Sequence, residues 1–326
     1  MYIFIDTSIY LTFFHYTSDD LEELKKLEAY LKQGKIVLIL TDQVENEFRR
    51  NRETKIADAL QTFESQKFPG TYPHFCKEYE EYPSLRQAAS QYSKAKIALL
   101  EKLKIDIKAK NLGADKIISS LFSLASRVES TQDLVARSKI RYDRGTPPGK
   151  KKSYGDAINW ENLLETIPVS EDLHFIAKDS DYDSEIDDND FSEYLTDEWK
   201  ELKKSEISYY KTLSDFFGQH FPDIQLASEI EKEPYIANLA ESGSFASTHL
   251  AIARLSKFNS FTDREVNLIL LAGTNNGQVY GISEDEDVRI FFNTLVSGRQ
   301  TKISSELLED YTNKFCSTEV LVEAPF

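Results

Sequence analysis

At 326 residues the chain can bury a sizeable core and form two domains, or one large domain with an accessory part. Its 40% apolar content, with 20 Phe and 17 Tyr, excludes a disordered chain, and a net charge of −16 excludes a protein that coats nucleic acid over its whole surface. Cys76 and Cys316 give neither a disulfide framework nor a metal-ligand spacing, and no stretch reaches the ~18 uninterrupted apolar residues of a membrane span, so a soluble cytoplasmic protein is expected.

Residues 2–5 (Tyr-Ile-Phe-Ile) read as a buried strand that stops at Asp6-Thr7-Ser8. Leu21, Leu24, Leu27 and Leu31 recur at helical spacing, and Gly34 closes that helix. Residues 36–40 are apolar without alternation, as in a parallel strand covered on both faces. Strand, helix and strand make a βαβ unit. Asp42 and Glu45 then have capping-box spacing at the start of another helix. Residues 84–136 read as a large helical insertion. Residues 137–155 read as a basic loop, because Gly-Thr-Pro-Pro-Gly at 145–149 cannot be helical and the stretch holds Arg144, Lys150, Lys151 and Lys152. A helix opens at Asp156, with Ala157, Trp160 and Leu163 as its apolar stripe. Residues 173–177 are a third buried strand, and His174 inside it reads as a core residue. An acidic, solvated run follows, then a helix around Trp199 and an edge strand at 207–210. A boundary near Pro222 separates residues 1–222 from a mostly helical accessory domain, 223–326, in which Thr262 and Glu265 form a capping box.

Four acids follow this order. Asp6 ends the first strand, where an open α/β sheet places ligands, although Asp-Thr-Ser also suits a helix N-cap. Glu47 and Glu45 flank the buried stripe of their helix about equally; Glu45 is taken up by the cap, which leaves Glu47 free. Asp156 shares the buried stripe of its helix, and Asn159 lies one turn on, suited to orient the carboxylate or to ordinary surface polarity. Asp179 follows the third strand, with Asp181 as its alternative or companion. Carboxylates beside a core are costly unless something pairs with them, and a divalent cation would pair with all four. Phosphate-loop, nucleophile-elbow and H-E-x-x-H motifs are absent from the sequence.

The D-T-S after the first strand, V-x-x-E-F on the second helix, G-D-A at a helix start and K-D-S-D after a later strand resemble, in type and order, the four acidic motifs of the PIN (PilT N-terminus) nuclease domain family. Gly-Asp-Ala-Ile-Asn-Trp, 155–160, looks like a bacterial PIN-like subfamily with a large helical insertion. The resemblance covers about residues 1–220. It implies a three-layer α/β/α fold on a parallel sheet and a Mg²⁺- or Mn²⁺-dependent nuclease, with RNA favoured over DNA. Asp6, Glu47, Asp156 and Asp179 would be the catalytic metal site, with Asp181 as a further ligand and Thr7, Ser8 and Asn159 in support. Arg144, Lys150, Lys151 and Lys152 would contact the substrate. A toxin, RNA-turnover or phage-defence role, a homo-oligomer and a regulatory protein partner are all compatible, and no membrane is implied. The alternative is a PIN-like module that binds nucleic acid or protein without cutting.

Overall fold

The computed structural model describes residues 1–15, 21–67, 71–149 and 154–315. The chain divides into two compact units, Met1–Pro222 and Asp223–Phe326.

The first unit runs β1 (Tyr2–Ile5), α1 (Thr7–Thr12), α2 (Leu21–Lys32), β2 (Val37–Thr41), α3 (Asp42–Ser65), α4 (Glu81–Ala109), α5 (Gly113–Leu124), β3 (Ser126–Val128), α6 (Gln132–Asp143), α7 (Gly155–Thr166), β4 (Leu173–Ile176), α8 (Glu193–Lys203), β5 (Ile207–Tyr210) and α9 (Leu213–His220). The strands form one parallel sheet in the order β3-β2-β1-β4-β5, flanked by helices in an α/β/α arrangement. The chain winds outward from β1 through β2 to β3, then returns to lay β4 on the other side of β1. The crevice outside the carboxyl ends of β1 and β4 is therefore the topological switch point. Ile5 pairs with Ile176, and the Asp6 amide donates to the Ile176 carbonyl at 2.9 Å.

Burial on both faces explains the apolar runs: all four residues of β4 are buried, and so are residues 3–5 of β1. Phe4, Phe175, Trp160 and Trp199 are fully buried. Trp160 lies 6.5 Å from Phe175 and 5.8 Å from Trp199, ring centre to ring centre, which presses α7 onto the sheet. His174 sits in the core as expected, and its burial pulls the imidazole down to about 4.

Three local expectations are corrected. The stretch 84–136 is not wholly helical, because it contains β3. Ser-Arg-Val has no apolar run to mark it, and only its pairing with Ile39–Thr41 makes it a strand. The basic stretch 137–155 is not wholly loop, because α6 continues to Asp143. Thr131 caps that helix by accepting from the Leu134 amide at 3.2 Å, and nothing from 132 to 143 breaks it. Finally, the cap of α3 is Thr41, whose hydroxyl accepts from the Val44 amide at 3.2 Å. Asp42 becomes the first helical residue and accepts from the Ser130 hydroxyl at 2.5 Å.

The second unit packs α10 (Ala227–Ala240), α11 (Phe245–Leu255), α12 (Asp263–Asn275), α13 (Gly277–Gly281), α14 (Glu286–Val296) and α15 (Ser305–Phe315) around Leu239, Leu255, Ile269, Val288 and Phe292. Gly273 permits the closest approach, since a Cβ there would stand 2.7 Å from the Phe292 ring. The Thr262–Glu265 capping box forms as read, and Glu265 also meets the buried Lys232 ammonium at 3.0 Å.

Candidate active site

Asp6 follows β1 and is 5% exposed. Its Oδ2 accepts from the Ser8 amide at 2.8 Å, so it caps α1 while it occupies the switch point. Burial pushes its carboxyl above the ordinary value, and the negative charge of Asp179 adds to the push. The Ser8 side chain, like its amide, opposes the rise of the Asp6 carboxyl through a hydrogen bond. The Ser8 hydroxyl also accepts from the Lys178 amide at 3.2 Å, which binds the start of α1 to the turn after β4. The neighbouring Thr7 hydroxyl is buried without a hydrogen-bond partner among the described residues.

Asp156 stands in the first turn of α7, one turn before Trp160. Its Oδ1 accepts from the Tyr182 hydroxyl at 2.9 Å. Burial first, then the charge of Asp6, raise its carboxyl to about 7, with Asp181 and Asp179 contributing and the Tyr182 hydrogen bond opposing. Tyr182 was not singled out from the sequence. It ends the Asp-Ser-Asp-Tyr run, and a bulky aromatic inside so acidic a segment was the available signal. The ring is fully buried, 4.7 Å from Phe175, so the hydroxyl is held rigidly beneath Asp156.

Asp179 is exposed and caps the short turn Ser180–Tyr182, accepting from the Asp181 amide at 3.2 Å. Asp181 is buried. Glu47 lies half-buried on α3, where burial and then the charge of Asp6 raise its carboxyl, while Gln43, 3.4 Å away, and Arg50 oppose the rise. Glu45 is indeed occupied, but by Arg49 at 2.5 Å and Arg127 at 2.6 Å rather than by a cap. Asn159 is buried, and its Oδ1 accepts from the Thr41 hydroxyl at 2.6 Å, which ties α7 to the end of β2.

Asp6, Glu47, Asp156, Asp179 and Asp181 thus act on one another electrostatically around the switch point. No described cation is among the main influences on Asp6 or Asp156. Yet no group of three or more His, Cys, Asp or Glu side chains among the described residues is arranged to hold a metal ion. Their oxygen-only chemistry still suits a hard cation. Mg²⁺ usually keeps several waters and binds through one or two carboxylates, so it needs no ready-made cage. The partnerless Thr7 hydroxyl next to Asp6 also fits a site that takes up water or a ligand. None of these acids lines the cavity of about 470 Å³ bounded by Glu45, Arg49, Arg52 and Arg127, so that cavity is no guide to them.

Of the expected substrate contacts, Arg144 is exposed at the end of α6, and Lys150, Lys151 and Lys152 lie outside the described residues. Arg137 and Arg141, in the same basic stretch, serve the fold. Arg137 meets Glu165 at 2.5 Å, and Arg141, 8% exposed, holds Glu161 at 2.8 Å together with Glu198 and the Pro147 carbonyl.

No helix among the described residues is long and apolar enough to cross a membrane. Neither curated proteins nor solved structures gave a match. The PIN domain family matches residues 3–182, more than half of the chain and the part that carries all five acids. Members of that family are generally nucleases that use divalent metal ions. With this match and an all-parallel five-stranded sheet beneath it, the chain belongs to the PIN domain family.

Proposed function

We propose that the chain is a Mg²⁺- or Mn²⁺-dependent nuclease that hydrolyses phosphodiester bonds, with RNA as the favoured substrate. One observation supports this reading: the negative charge of Asp179 raises the carboxyls of Asp6, Glu47 and Asp156, and that of Asp6 raises those of Glu47 and Asp156, without a described cation to relieve Asp6 or Asp156. A fold gains nothing from such repulsion unless a positive ligand joins it. Asp6 and Asp156 would be the principal ligands, with Glu47 and Asp179 completing the site and Asp181 assisting. A bound divalent ion would lower the pKa of a water and neutralise charge on the phosphate.

The protein's own groups supply position. The Ser8 amide fixes the Asp6 carboxylate, and the Tyr182 hydroxyl fixes that of Asp156. Thr41 and Asn159 hold the end of β2 against α7, which keeps the starts of α3 and α7 together. Without a countercharge the rim repels phosphate. Arg144 and Lys150–Lys152 would offset that, positioning the strand without reading its sequence.

The decisive test is cleavage of labelled single-stranded and duplex RNA and DNA with Mg²⁺ or Mn²⁺, against Asp6→Asn and Asp156→Asn. Cleavage that both variants lose by at least ~10²-fold supports the reading, a loss of the size expected when a positioned catalytic group is removed. Binding without any cleavage selects the non-cutting module instead.

A further inference from the structure

Two arginines converge on one carboxylate at the β3 edge of the sheet. The Glu45 side chain, 14% exposed, accepts from Arg49 through Oε1 at 2.5 Å and from Arg127 through Oε2 at 2.6 Å. The Arg127 contact ties β3 to α3. Arg49 lies one turn from Glu45 on α3 itself, so its contact joins no two elements. Both oxygens of the carboxylate are taken, whereas each guanidinium has five N–H donors and most remain to be used. Both arginines are exposed, and with the exposed Lys110 at the end of α4 they line the cavity of about 470 Å³. The exposed acid among the lining residues is Glu53, so the outward charges sum to 3 − 1 = +2 in a protein of −16. Further in, Arg52 and Asp115 cancel through two contacts of 2.6 Å. The inner wall is apolar: Phe48, Ile118 and Phe122 are buried, the two rings meeting edge to face at 5.4 Å.

We infer that this cavity binds a nucleotide, with the phosphate between Arg49 and Arg127 and the base toward the apolar wall. Guanidiniums already held by a shared carboxylate lose little freedom when they close on an oxyanion, and their planar forks match phosphate oxygens. A cationic mouth over an apolar interior asks for a ligand that is anionic at one end and flat and apolar at the other. The place in the fold agrees. Phe4 pairs with Ile39 and Leu40 with Arg127, so Arg127 stands level with Ile5, two strand spacings or ~10 Å away, and Asp6 is the next residue. The cavity therefore flanks the carboxylate rim without sharing its acids. A strand laid across the rim would set a neighbouring nucleotide there, and a free mononucleotide offers the same phosphate and base. The strand as source rests on the nuclease reading; the affinity of the cavity does not require that the rim cut.

The test uses the full chain in chelator, with calorimetry of adenosine and uridine 5′-monophosphate and anisotropy of labelled single-stranded RNA titrated with NaCl. Wild type is compared with Arg49→Gln/Arg127→Gln, which keeps donors for Glu45, and with Ser119→Trp, which fills the cavity from an exposed position of α5 without changing charge. Circular dichroism confirms folding. Both variants should weaken mononucleotide binding at least ~10-fold, the size expected when a charge-assisted contact is lost. The glutamine variant should also flatten the RNA log-affinity against log-salt slope by about 0.7, the share of one phosphate of a single strand. A wild type that binds neither mononucleotide, or an affinity that both variants retain, would overturn the inference. So would inorganic phosphate or an oligoglutamate that binds wild type as tightly as the mononucleotides, because the apolar wall would then select nothing. The RNA arm tells the sources apart. RNA affinity that falls in the variants assigns the cavity to the strand, and RNA affinity that ignores them while mononucleotides weaken assigns it to a free nucleotide. Hydrolysis of bis(4-nitrophenyl) phosphate with Mn²⁺ reports on the rim. Nucleotide binding in the cavity without hydrolysis removes the nuclease reading and keeps the cavity. Hydrolysis with variant-independent binding does the reverse.

Discussion

The second unit neutralises a buried acid in place, whereas the first unit treats its own buried acids in two opposite ways. Glu265, 2% exposed, receives the Lys232 ammonium at 3.0 Å and the Thr262 amide at 2.7 Å. Arg52 and Asp115 in the first unit form a similar closed pair, with two contacts of 2.6 Å. Asp6 accepts from neutral groups of Ser8 and Thr7 and Asp156 from the neutral Tyr182 hydroxyl, and both face other carboxylates. Charges that serve the fold are neutralised in place. Those at the switch point are left in deficit, and this is where a cationic ligand would restore the balance.

The largest expected effect tests the closed pair. Lys232→Met strands the Glu265 carboxylate in the core and should destabilise the second unit by about 3–5 kcal/mol in urea unfolding. A loss below ~1 kcal/mol would erase the contrast. Next comes the rim. Asp156 titrates at about 7 in the folded protein against an ordinary 3.8, so the folded state holds its proton longer than the unfolded chain. Stability from this group is complete below about pH 4 and lost as pH rises through about 7. In chelator, Asp156→Asn should therefore gain on the order of 2 kcal/mol at pH 8 and almost nothing at pH 4, a Tm rise of ~4–8 °C in the first case. Equal shifts at both pH values would mean the carboxylate carries no such strain. Mn²⁺ should also raise the wild-type Tm at pH 8 by ~2–4 °C and leave Asp6→Asn/Asp156→Asn unmoved, as expected for a ligand that binds only the folded site. The smallest effect belongs to Tyr182→Phe. Losing one hydrogen bond should cost ~1 kcal/mol and push the Asp156 titration higher, visible in a carboxyl-resolved NMR titration.

Much of the first unit was legible because its strands are covered on both faces. Runs such as Val37–Leu40 and Leu173–Ile176 announce themselves by composition. The placement of Asp6 and Asp179 followed from those strand ends. β3 was illegible because three residues, two of them exposed, carry no periodicity. Tyr182 was missed because its role depends on a fold that brings it 26 residues back to Asp156. The cap of α3 was misread by one residue because Thr41 and Asp42 are both good caps, and local chemistry alone does not separate them. In the basic stretch 137–155, a count of cations does not show that Arg137 and Arg141 already have acidic partners.

The tie between the two central strands has a consequence for the chain's life before it is complete. The Asp6 amide waits for the Ile176 carbonyl, and the Ser8 hydroxyl for the Lys178 amide, some 170 positions later. A ribosome-bound fragment that ends before this segment has no crevice for Asp6 to occupy. Whatever chemistry the rim performs is therefore silent throughout early translation and switches on only when β4 slots in beside β1.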